Sequence, residues 1–157
     1  MKRTIIGILI ALAIILGSFG VYCLVYMQKQ TLMEALEIAG TTQMPDGGSI
    51  VSFSADANAQ DQSGGRVLSL TPADAAAVWR AMEQTNVRFI RARGVGLIPA
   101  GGYYYEVTLF DSKNEETVCA FGFNTEKSFL INGMDYNRSG ESPLAGTVGL
   151  LFGQVEG

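Results

Sequence analysis

Residues 103–136 read YYYEVTLFDSKNEETVCAFGFNTEKSFLINGMDY, and this stretch decides the fold class. Tyr103, Tyr105, Val107 and Leu109 fall on one side of a period-two pattern while Glu106 and Thr108 fall on the other, and Cys119, Phe121 and Phe123 repeat the alternation. The spacing predicts strands over Tyr103 to Phe110, Glu116 to Phe123, Phe129 to Ile131 and Met134 to Tyr136. Between them lie Asp111-Ser112-Lys113-Asn114, Asn124-Thr125-Glu126-Lys127 and Asn132-Gly133, each rich in turn-forming residues. Asn-Gly between two short apolar runs is a strong hairpin signal, so consecutive strands should pair up and down in an antiparallel sheet.

Working back from this meander, Val87 to Arg93 is strand-like and leads into the glycine-rich turn Gly94 to Gly102. Before it, Thr71-Pro72-Ala73-Asp74 combines a capping hydroxyl, a proline suited to the first helical position and an acid at the positive end of the helix dipole. Ala75, Val78, Trp79 and Met82 then recur at helical spacing, predicting a helix over Thr71 to Thr85 whose apolar face covers the sheet. Ser49 to Ala55 and Arg66 to Leu70 read as two further strands. Beyond the meander, Ser142-Pro143 repeats the start signal, and Leu144, Val148, Leu151 and Phe152 predict a short second helix. The expected class is α+β, an N-terminal transmembrane helix followed by a β-β-α-β-β-β-β-α domain with an antiparallel sheet packed against one main helix.

The other end of the chain has a different composition. Nineteen of the 24 residues from Thr4 to Met27 are apolar and none is charged, and a helix of that length crosses about 30 Å of hydrocarbon. Expected boundaries are a cytoplasmic tail over 1–3, the transmembrane helix over 4–27, a stalk and linker over 28–48 and an extracytoplasmic α+β domain over 49–157. The stalk rests on the helical spacing of Leu32, Met33, Leu36 and Ala39 with Gly40 as a stop. Lys2 and Arg3 ahead of the span place the N-terminus in the cytoplasm. A second reading is a secretory signal cleaved near Gly20, since Ser18-Phe19-Gly20 is an acceptable small-x-small site. Lipoprotein processing at Cys23 is disfavoured by the bulky Tyr22 just before it.

Charge and residue types narrow the function classes. The chain carries −4 overall, and because Lys2 and Arg3 precede the span, the remainder carries −6. That balance argues against nucleic acid and against docking on anionic lipid. There is no histidine, which removes the commonest general base and the Ser-His and Cys-His nucleophile pairs. No catalytic residue, cofactor or metal site is therefore assigned. Asp56-Ala57-Asn58-Ala59-Gln60-Asp61 spaces oxygen ligands as a calcium loop would, but Asp61 stands where the loop glycine belongs and Val67 where the bidentate glutamate belongs. Cys119 reads as a small core residue and cannot pair with Cys23 inside the span. The glycines of Gly94 to Gly102 lie between strands, with no helix start to hold a phosphate.

Two features are candidates for partner contact. Arg88, Arg91 and Arg93, interleaved with Phe89 and Ile90, form a basic run that reads as either a charged edge strand, with or without internal ion pairs, or a grip on a carboxylate or phosphate. Tyr104 faces away from Tyr103 and Tyr105, and an exposed tyrosine makes a low-entropy binding anchor. The architecture, one span and a small strand-rich domain, resembles uncharacterised membrane-anchored proteins of Gram-positive bacteria. The order of helix then four-stranded meander is similar to cystatin-type and β-lactamase-inhibitor-type modules. Expected function is a non-enzymatic interaction module at the cell envelope. The alternatives are a carboxylate-dependent envelope hydrolase and a sensory or regulatory protein acting through a membrane partner.

Overall fold

A computed structural model of the chain describes residues 2–26, 28–41, 44–54, 65–92, 103–114, 116–124, 128–140 and 142–153. The first element, α1 (Lys2–Tyr26), is a single apolar helix. Its window Ile6–Leu24 has mean hydropathy 2.4 and none of it is buried, a length and composition shared by membrane spans and signal sequences.

The residues after α1 do not form the expected stalk. Lys29–Thr31 is a short strand, β1, and Leu32–Ala35 a single helical turn, α2. Thr31 caps α2 by accepting from the Glu34 amide while the Glu34 carboxylate accepts from the Thr31 amide at 2.7 Å. The turn ends at once, with Glu37 in the left-handed region at φ 61, well before Gly40. Leu32 is fully buried, and its amide donates to the Thr85 carbonyl at 2.8 Å. The apolar spacing that reads as a stalk is thus a core contribution: Leu32, Met33, Ala35 and Leu36 all belong to the hydrophobic cluster.

The remaining elements are β2 (Gly47–Ser54), β3 (Arg66–Leu70), α3 (Pro72–Glu83), β4 (Asn86–Ala92), β5 (Tyr103–Asp111), β6 (Glu116–Asn124), β7 (Ser128–Ile131), β8 (Met134–Arg138) and α4 (Pro143–Gly153). All eight strands join one sheet in the order β1-β4-β8-β7-β6-β5-β2-β3, and every pairing is antiparallel. The α+β class and the meander β5-β6-β7-β8 agree with the sequence pattern. Five strands rather than four follow α3, because β4 joins the sheet as well as the four-stranded meander. At the β7–β8 hairpin Asn132 and Gly133 both have positive φ, 49 and 74, as a type I′ turn requires.

One face of the sheet, the inner face, carries the core. Ile50 of β2, Tyr105, Val107 and Leu109 of β5, Cys119, Phe121 and Phe123 of β6, and Phe129 and Ile131 of β7 are buried there. A row of rings crosses it: Tyr105 lies 5.2 Å from Phe123, Phe123 lies 5.6 Å from Phe129, and Phe89 meets Tyr136 edge-on at 5.5 Å. Helix α3 covers this face with Ala75, Val78, Trp79, Ala81 and Met82, after a capping box between Thr71 and Asp74. The sheet is not covered by α3 alone. Leu144, Val148 and Phe152 of α4 are buried too, with the Phe152 ring 5.5 Å from Tyr105 and the Arg66 guanidinium 5.8 Å from its centre.

Candidate functional site

The opposite, outer face of the sheet is where the predicted contact residues fall. Pairing registers define one row across it: Phe53 opposite Tyr104, Tyr104 opposite Asn124, Ser128 opposite Asn137, Asn137 opposite Arg88, and Arg88 opposite Lys29. The Asn124 side chain links the halves of the row by accepting from the Ser128 amide at 2.9 Å. A parallel row runs Val51, Glu106, Gly122, Leu130, Asp135 and Arg91. Opposite residues of an antiparallel pair share a face, so the first row and the second as far as Asp135 project away from the helices.

Tyr104 is on this face but is not a free anchor. It is half-buried, its ring lies 6.2 Å from Phe53, and its phenol rests over Gly122 so closely that any Cβ at that position would meet the ring end. Glycine at position 122 makes the seat, a signal present in the sequence as Phe121-Gly122-Phe123 but readable only with the register known. Arg88 is exposed and stands beside Lys29. Arg91 stands opposite Asp135, past a register shift between Phe89 and Arg91, and its side chain lies outside the described residues. Arg93, the turn Gly94 to Gly102 and the oxygen-rich run Asp56 to Asp61 also lie outside them.

Two parts of the contact expectation change. The strand Val87 to Arg93 is not a sheet edge at its start, since β4 pairs with β8 on one side and β1 covers Asn86 to Arg88 on the other. The missing strand was hidden in the supposed stalk. Arg88 and Tyr104 share a row but are four strand spacings apart, about 19 Å, so they are separate points on one broad face. Around them the face exposes Val67 at 64% and Phe110 at 37%.

A wide depression of about 750 Å³ lies at the start of α4 and is lined by Gln84, Arg138, Gly140, Ser142 and Pro143. The Ser142 hydroxyl is 3.2 Å from that of Thr85, which itself donates to the Ala81 carbonyl at 2.7 Å. A guanidinium, an amide and a hydroxyl can orient an anion; the described lining offers no carboxylate, thiol or imidazole for proton transfer. Among the described residues no group of three His, Cys, Asp or Glu side chains is placed to hold a metal ion. Cys119 lies on the inner face, and burial pushes its thiol up to about 12, far from a nucleophile's range. Asp46 is held below the usual carboxylate range by two hydrogen bonds from Ser112, the amide at 2.7 Å and the hydroxyl, and serves to pin the start of β2 to the β5–β6 turn. No protein-family model, curated protein or solved structure matches the chain.

Proposed function

We propose that the protein is a single-span, membrane-anchored binding module, non-enzymatic, whose open sheet face receives a protein partner at the cell envelope. The observation that carries the reading is the one-sided packing of the sheet among the described residues. Helices α3 and α4 cover the inner face, while the outer face presents Phe53, Val67, Tyr104 and Phe110 among hydroxyls, amides and charges. Large apolar groups rimmed by polar ones suit protein contact. The absence of histidine from the chain and the lack of acid-base groups in the described lining of the depression weigh against the hydrolase alternative. In this reading α1 spans the membrane with residues 1–3 in the cytoplasm and the sheet domain outside, which the basic Lys2 and Arg3 favour. Only two residues separate α1 from β1, so a force on the sheet reaches the span directly, and this favours the sensory alternative as a second reading.

The test places a photo-crosslinking residue at Val67 or Phe110 on the outer face, and at Leu150, which is 69% exposed on α4. In intact cells the outer-face positions should give the same discrete adduct and Leu150 none. Equal adducts from all three would refute the assignment of the face. Protease added outside the cytoplasmic membrane should digest the domain, and a shortened chain released into the medium would support cleavage near Gly20 instead.

A further inference from the structure

We propose that Lys29 and Arg88 together bind the phosphate of an anionic phospholipid in the leaflet that α1 leaves. This rests on the reading of α1 as a membrane span. The two side chains are directly opposed across the β1–β4 pair, on the same face, and both are exposed. Like charges so placed repel, and their Cβ atoms stand only about 5 Å apart. Across the β4–β8 pair the residue directly opposite Arg88 is the neutral Asn137, and Asp135, two residues along on the same face, stands opposite Arg91. A bound anion turns this unfavourable pair into a favourable one, the guanidinium fork taking two phosphate oxygens and the ammonium a third.

Position selects the source of that phosphate. The apolar window ends at Leu24, and from there to Lys29 two helical steps and three extended ones give at most about 13 Å of chain. The headgroup layer is about 5–8 Å deep on each side of the hydrocarbon, and lysine and arginine reach back towards it along their aliphatic stems. Helix α1 also touches β4, the strand that carries Arg88. The −6 carried after the span repels an anionic surface as a whole, so contact is confined to this sheet edge, where two exposed cations stand directly opposed. Such contact at β1 departs from the expectation that the acidic balance disfavours anionic lipid.

The full chain in lipid nanodiscs tests this, with fluorescence of the single, buried Trp79 reporting unfolding of the domain. Replacing phosphatidylcholine by phosphatidylglycerol should raise the wild-type melting temperature by about 2–5 °C. Lys29→Gln with Arg88→Gln should abolish that rise while melting no lower than wild type in phosphatidylcholine, and Arg80→Gln, at an exposed arginine on α3, should keep it. An equal rise in the double variant overturns the proposal, as does no rise in wild type. Inorganic phosphate added to phosphatidylcholine discs should do nothing; a rise matching that from phosphatidylglycerol would mean a soluble-phosphate site and would also overturn it. Alkaline extraction separates the two readings. Wild-type chain retained in the membrane pellet without a lipid-dependent rise overturns the phosphate site alone, whereas chain released to the supernatant overturns the span and the site together.

Discussion

The two faces of the sheet place side chains one residue apart in sequence under opposite rules. On β5 and β6, Tyr105 and Phe123 point inward and pack ring against ring in a buried row, while Tyr104 and Asn124, their immediate neighbours, point outward into a row that ends in Arg88 and Lys29. Backbone pairing is common to both rows; only what covers them differs. Inner residues gain stability from burial in proportion to area and from ring contacts, and outer ones contribute mainly where a neighbour gives them a seat. Reading the molecule therefore depends on the two-residue period, because a slip of one residue exchanges the rows.

The largest effect expected is at the centre of the inner row. Phe123 is 1% exposed and meets rings on both flanking strands, so Phe123→Ala should cost about 3–5 kcal/mol in urea unfolding of the full chain in detergent. Tyr104→Ala, from the outer row, should cost about 1 kcal/mol. Equal costs would mean that the outer face is as well covered as the inner one.

Alkaline pH should expose the same asymmetry. Burial raises Cys119 from 9.0 to about 12 and also raises Tyr105 and Tyr136 above 10.0, all three on the inner face. A group whose folded pKa lies above its unfolded one gives stability that is intact below the unfolded value and lost as pH rises through the folded one. Stability should thus hold to about pH 9 and then fall towards pH 12, with Cys119 alone contributing up to about 1.4 kcal/mol per pH unit. Urea midpoints of Cys119→Ala should lose that part of the slope, and an unchanged slope would show that the thiol ionises as freely as an exposed one.

How much of this was legible follows from how local each signal is. The meander, the helix start at Thr71 and the buried set Ala75, Val78, Trp79 and Met82 are written in periods and caps spanning a few residues. Strand β1 is not: three residues, Lys29-Gln30-Thr31, carry no period, and Leu32, Met33 and Leu36 pack like core while being spaced like a stalk. The neighbours of β4 are set by contacts nearly sixty residues away in the chain, so an arginine-bearing strand reads as an edge until β1 is seen beside it. Tyr104 was identifiable as outward-facing, but its seat on Gly122 depends on register between strands.

That seat gives a sharper test of the outer row. A Cβ at position 122 would run into the Tyr104 ring end, so Gly122→Ala should cost about 1–3 kcal/mol while Tyr104 is present. In the Tyr104→Ala background the same change should become neutral or stabilising by about 0.5 kcal/mol, since glycine is a poor strand residue. The difference is the coupling energy of a double-mutant cycle. A coupling of zero would place the ring elsewhere and leave Tyr104 a free surface side chain after all.

The smallest effect expected lies at the far end of the outer row and has the opposite sign. Arg88 faces Lys29 directly, both in water, so the repulsion between them is screened and weak. Arg88→Glu replaces it with an attraction, and the full chain in a neutral detergent should become more stable by about 0.2–1 kcal/mol, the range for cross-strand charge pairs. Because the interaction is solvent-exposed, the gain should shrink as salt is raised towards about 1 M, where the Debye length falls to roughly 3 Å. Lys29→Glu, reversing the other member, should give a similar gain, and the two together should abolish it, because both members are then acidic and repel again. A variant that destabilises at low salt would mean that Arg88 already has an acidic partner, and the outer row would then end in a satisfied ion pair instead of two opposed cations.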